Sequence, residues 1–149
     1  SLIYHLLLEK KNLYESRTQK NASMKERHQE LIEFYIHAYN HFDVEGMIRM
    51  LDDQVVFENI SNGEITLQTV GINAFQEQAE SAKSYFSKRK QTISTWKFEQ
   101  EKVTVEIDYE AVLAMDFPNG MKAGDTLKMK GRSEFFLQGE KIVKIRDIS

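Results

Sequence analysis

The chain has 149 residues, of which 41% are apolar, with 20 basic and 23 acidic side chains giving a formal net charge of −3. That length is one domain's worth, and folding it buries roughly 70% of the unfolded surface, enough for a real core. The charge balance excludes a global attraction to nucleic acid or anionic membrane, and the absence of cysteine excludes a disulfide, a thiolate zinc site and a cysteine nucleophile.

Taken in chain order, Leu6-Leu7-Leu8 is too short an apolar run for a membrane span, and Glu9 follows it directly. Residues 1–23 are expected to form an N-terminal extension, either an extra helical segment or non-native sequence. A single domain then spans 24–149, with Met24 at or near the natural start and a cytoplasmic location expected. Residues 24–42 read as a long amphipathic helix, possible to extend backward over the apolar stretch from Leu6 to Leu13. At about 100° per residue, Leu31, Tyr35, Ala38, Tyr39 and Phe42 gather on one side. Glu30, Glu33, His37, Asn40 and His41 fall on the other. Asp43 is the expected N-cap of a second helix over 43–52, whose buried side is Met47, Ile48, Met50 and Leu51.

Val55-Val56-Phe57 switches to strand chemistry, giving a strand over 55–60 and a return strand over 64–70 about the turn Ser61-Asn62-Gly63. Gly71 leads into a third helix over 72–86, with Ile72, Phe75, Ala79, Ala82 and Phe86 on its apolar side. After Arg89 the period becomes two. Thr92, Ser94, Trp96 and Phe98 form one row, and Val103, Val105, Ile107, Tyr109, Ala111, Leu113 and Met115 another. Strands over 127–137 and 141–148 complete the chain. The basic clusters Lys88-Arg89-Lys90 and Lys128, Lys130, Arg132 read as solvated edges. Helices first and four antiparallel strands last argue an α+β fold, with helices covering one face of a curved sheet.

The stretch Tyr35 to Asp43, the break Asp43-x-x-Gly46 and the transition from Leu51-Asp52-Asp53 to Phe57-Glu58-Asn59 form a pattern. Gly71 and the hairpin Gly131-Arg132…Gly139-Glu140-Lys141-Ile142 complete it. On these residues the chain resembles the nuclear-transport-factor-2-like superfamily, in particular its SnoaL-like and ketosteroid-isomerase-like members, over about residues 27–148. The resemblance implies a conical α+β barrel: a curved, mixed or antiparallel sheet, about three helices from the N-terminal half on its concave face, and a cavity between. It also implies a homodimer through the outer face of the sheet.

Carried over by residue, the isomerase's hydrogen-bonding tyrosine falls on Tyr35, its proton-shuttling aspartate on Asn59, and its protonated aspartate at or near Ser133. An amide cannot act as the base, and alternation puts Glu58 on the other face from Asn59. Steroid isomerisation in its known form is therefore disfavoured, while a hydrogen-bonding lining of Tyr35, Asn59 and Ser133 is retained.

The expected ligand-binding residues are accordingly Tyr35, Asn59, Trp96, Tyr109 and Ser133, although large aromatics are more often core than platform. Met47, Met50, Met115 and Met129 read as gap-fillers. His37 and His41 have a metal-clamp spacing without a third strong ligand, so no metal is expected, and no phosphate loop or other cofactor motif is present. Arg132 with Glu134, and Asp147, are expected in cross-strand ion pairs on the polar face. The leading function is binding of a small apolar molecule, not nucleic acid or membrane, in a central pocket. A proton-transfer enzyme (isomerase, cyclase or dehydratase) needs an inward acid or base, which the inward rows nearly lack. An interaction module is the third reading, motivated by Val112, Ala114 and Phe136 on the outer face.

Overall fold

The computed structural model describes residues 1–149, except for the side chains of Asn21 and Ala22. The order is α1 (Leu2–Asn40), α2 (Val44–Arg49), β1 (Leu51–Ser61), β2 (Glu64–Val70), α3 (Ile72–Ala82), a 3-10 turn (Lys83–Tyr85), β3 (Phe86–Phe98), β4 (Lys102–Leu113), β5 (Thr126–Gln138) and β6 (Lys141–Ile148).

Helix α1 is continuous and about 58 Å long at 1.5 Å per residue. Only its C-terminal part packs: Ile32, Tyr35, Ile36 and Ala38 are buried, whereas Leu2, Ile3, Leu7, Leu13 and Tyr14 are exposed. Removing residues 1–23 is therefore expected to change unfolding free energy by less than about 1 kcal/mol, because little apolar area is lost from the core. Urea unfolding of the shortened chain checks this.

The helix stops where Phe42 turns left-handed at φ 58°. Asp43 then caps α2 by accepting from the Gly46 N–H at 2.9 Å. A Cβ on Gly46 would collide with the Asp43 carboxylate and stand 3.0 Å from Ala38 Cβ. The Asp43-x-x-Gly46 break thus serves two ends, a cap and a close approach of α2 to α1. Helix α2 is shorter than its pattern suggested. Leu51 leaves it to pair with Ile142 of β6, because tertiary pairing outweighs a weak local preference. Helix α3 likewise ends at Ala82, and Phe86 opens β3.

The strands form one sheet in the order β2-β1-β6-β5-β4-β3. The β1–β6 pair is parallel and the others antiparallel. The sheet is mixed, curved and not closed, with β2 and β3 as its edges, and the helices lie on its concave side. Val103, Val105, Ile107, Ala111 and Leu113 form the buried inward row of β4, with the half-buried Tyr109 in line. In β3 the inward row is Arg89, Gln91 and Ile93, not Thr92 and Ser94. A bulge between Ile93 and Thr95 then resets the phase, so that Ile93 opposes Ile107 and Trp96 opposes Val105 on one face. Phe135, Ile32, Val55, Val103, Ile142 and Ile145 form the deepest core.

The convex face carries an ion-pair network. Glu58 meets Lys144 at 3.1 Å and Arg146 at 3.4 Å, and Glu134 meets Lys102 at 2.7 Å and Arg146 at 3.3 Å. Burial would raise the Glu134 carboxyl, but Lys102 and Arg146 outweigh it and hold the group below the usual range. Glu134 therefore pairs with these two cations and not with Arg132. The outer apolar residues do not form one patch. Phe136 lies opposite Lys102 and Val112 opposite Thr126, at the two ends of the β4–β5 ladder, about 30 Å apart by strand rise. No helix among the described residues is long and apolar enough to cross a membrane.

Candidate functional site

A cavity of about 200 Å³ opens between the end of α1, α3 and the concave sheet. Met47, Phe57, Leu67, Phe75, Ala79 and Phe86 supply apolar wall, and Tyr35, Tyr39, Asn59, Gln78, Arg89 and Asp147 the polar contacts. A second hollow of about 180 Å³ shares Tyr39, Asn59 and Asp147 with the first and adds Tyr109 and Ser133. A roomier groove of about 430 Å³ runs along Lys90, Asp108, Glu110, Lys128 and Lys130. Its charged groups are exposed and already solvated, so the concave cavity is the better site for an apolar molecule.

Asp147 joins the two hollows. On β6 it stands opposite Ser133 of β5 on one side and Asn59 of β1 on the other, so it faces inward and not among the outer ion pairs. Its parity with Ile145, a core residue, is the signal that places it there. The Ser133 hydroxyl donates to Asp147 Oδ1 at 2.6 Å. Burial raises the carboxyl from 3.8 to about 6, against the opposing effect of the Ser133 bond. The carboxyl therefore holds its proton more tightly than an exposed aspartate, at the junction of the two hollows.

Phenols surround it. Tyr39 and Tyr109 join hydroxyl to hydroxyl at 3.0 Å. Burial raises both, as it does Tyr35, where the charge of Asp147 adds to the rise. All three are therefore neutral hydrogen-bonding groups at physiological pH. Tyr35 is held edge-to-face on Phe135 at 5.8 Å. Asn59 donates from Nδ2 to Thr66 Oγ1 at 2.8 Å. Asn40 fastens the end of α1 to β3, donating to the Gln91 carbonyl at 3.1 Å and accepting from its N–H at 2.8 Å.

Of the five residues singled out from sequence, the structure brings Tyr35 and Asn59 to one cavity and Tyr109 and Ser133 to the adjoining hollow. Trp96 lies apart, stacked on Phe98 at 5.5 Å and packed against the core. Met115 and Met129 are exposed rather than gap-filling. His37 and His41 sit ring against ring at 4.2 Å on the exposed side of α1.

Arg89 is the other residue the sequence reading misplaced. Lys88 and Lys90 are exposed, but Arg89 is only 5% exposed. Its guanidinium lies 3.7 Å from the Tyr39 ring centre and 4.4 Å from that of Phe42, and Nε donates to the Tyr39 carbonyl at 2.9 Å. Extending the period-two pattern back from Ile93 through Gln91 would have found it.

A sequence profile described as the SnoaL-like domain matches residues 32–145. No curated protein sequence matches the chain. Among solved structures, a proposed polyketide cyclase from Xanthomonas campestris pv. campestris is 17% identical, with a TM-score of 0.72 over 83% of this chain and 90% of that one. A proposed SnoaL-like polyketide cyclase from Jannaschia sp. CCS1 is 11% identical, with a TM-score of 0.69 over 81% and 83%. A protein of ketosteroid isomerase-like fold from Catenulispora acidiphila, in complex with trimethylamine, is 12% identical, with a TM-score of 0.65 over 79% and 83%. At these identities the likeness is one of fold.

Proposed function

This chain belongs to the SnoaL-like domain family, and from that premise we propose that it binds a small, largely apolar carbonyl compound in the concave cavity and moves a proton on it through Asp147. The observation that carries the reading is the placement of Asp147 on the cavity wall, held by the Ser133 hydroxyl at 2.6 Å and weakened as an acid by burial to about 6. An inward acid or base is what the proton-transfer reading requires, and the inward position of Asp147 supports it.

Ionised Asp147 takes a proton from the carbon next to the carbonyl. The electron pair of the broken C–H bond forms a C=C bond, and the carbonyl π pair moves onto oxygen to give an enolate. Asp147, now neutral, returns the proton to another carbon for an isomerisation. Alternatively the enolate carbon attacks a second carbonyl, and Asp147 protonates the resulting alkoxide in a cyclisation. A base with a pKa near the working pH is suited to both directions of transfer. Tyr35 and Tyr39 are neutral phenols able to hydrogen-bond the oxygen where charge develops. The apolar walls and the likeness to proposed polyketide cyclases support a substrate of the polyketide type.

Deuterium exchange at the α-carbons of 2-tetralone, followed by NMR, tests the proposal. The wild-type chain is expected to accelerate exchange, with a rise through about pH 6 that follows ionisation of Asp147. Binding measured by thermal shift without any acceleration of exchange would leave a carrier or binding role and remove the enzymatic one.

A further inference from the structure

We propose that Arg89 is a substrate-binding residue for an anionic oxygen, a carboxylate or ionised phenol, so that the molecule held in the cavity is an apolar acid. This rests on the cavity being the ligand site. Arg89 is 5% exposed and lines the same cavity as Asp147. Its Nη2 is buried without a hydrogen-bond partner. No ion pair reaches it among the described residues.

A buried cation without a counter-ion is costly. The contacts Arg89 does make recover only part of that cost. Its Nε bond to the Tyr39 carbonyl sits in the last turn of α1, where a cation is favoured. Stacking on Tyr39 adds a favourable cation–π contact. These contacts fix the guanidinium plane and use one of its five N–H groups. A structural role needs no more than that, and it leaves the Nη2 edge unexplained. A carboxylate approaching the guanidinium from the cavity would neutralise the charge, and Nη2, closed to solvent in the free chain, becomes its second contact once the side chains around it give way.

The arrangement also gives the cavity a direction. The acid end of the ligand goes to Arg89, and the reacting carbon goes to Asp147. No ion pair joins the two residues, so each is left free for a different part of one molecule.

The test uses the full chain and two probes of one shape, 2-naphthoate and 2-naphthamide, titrated by calorimetry at pH 8, where Asp147 is ionised throughout. The wild type is expected to bind the acid at least about tenfold more tightly than the amide, the scale of a charge-assisted pair. Arg89→Gln is expected to erase that preference while amide affinity stays within about twofold, and Arg89→Lys to keep part of it. A merely structural arginine would weaken both probes alike or alter neither. Equal binding of the two probes by the wild type overturns the proposal without any variant being made, which guards against a variant that fails to fold. Binding of neither probe overturns the cavity reading and this proposal with it. Acid preference without exchange of 2-tetralone protons supports Arg89 and removes only the proton-transfer step.

Discussion

Asp147→Asn is expected to stabilise the fold by about 1–3 kcal/mol at pH 8 while lowering proton transfer by about two to four orders of magnitude. The stability effect follows from linkage. The carboxyl is raised from 3.8 to about 6 in the folded chain by burial. Below the unfolded value both states carry the proton and the fold bears no penalty. Between the two values the unfolded chain ionises the carboxyl while the native state still holds its proton, which favours unfolding, and above about 6 the penalty is complete. Native stability is therefore lost as pH rises through that window. Asparagine has no charge to desolvate and still presents an oxygen to the Ser133 hydroxyl, which donates to Asp147 at 2.6 Å. Urea unfolding at several pH values checks it: the variant's advantage should be full at pH 8 and absent near pH 3.5. An advantage independent of pH would show that burial of the charge is not its source. A residue that weakens its own fold is what a chain retains when the group is needed for chemistry.

Phe135→Ala is expected to destabilise by about 3–5 kcal/mol, lowering Tm by roughly 8–15 °C. Phe135 is 1% exposed, opposes Val103 and Ile145 across its two ladders, and is the edge-to-face partner of Tyr35. Truncation leaves a void at the junction of α1 with the sheet. It also removes the ring that fixes the phenol of Tyr35 at the cavity. Thermal unfolding measures the first effect, and weaker binding of 2-naphthamide would report the second. Leu13→Ala on the exposed part of α1 is the matching control, with an expected change within about 0.5 kcal/mol.

The two residues that now carry the chemical reading were misplaced in sequence for one reason. A side chain's face on a strand depends on where the strand begins and whether a bulge interrupts it. Arg89 stands three residues before the first alternating position recognised in β3, and a basic triplet looks like a solvated edge until strand pairing turns its middle member inward. Asp147 looked like an outer ion-pair partner because charged residues crowd β5 and β6, yet its neighbour Arg146 takes the outer face and leaves it the inner one. Tyr35 was easier. Its helical phase is set by local geometry and survives any error at the helix ends.

The residue pattern by itself determined the helix-first order, the inward placing of Tyr35 and Ala38 on α1 but not of Ile32 and Ile36, the Asp43-x-x-Gly46 break, the hairpin turns and the split of Glu58 and Asn59 to opposite faces. Each of these depends on neighbours within about four positions, where sterics and period decide. Only the tertiary structure decided that β1 runs parallel to β6, that Asn59, Asp147 and Ser133 lie side by side, and that Arg89 is enclosed. Those depend on strands far apart in the chain, whose pairing sets the local dielectric and hence whether a carboxyl or a guanidinium is an ordinary surface charge or a working group.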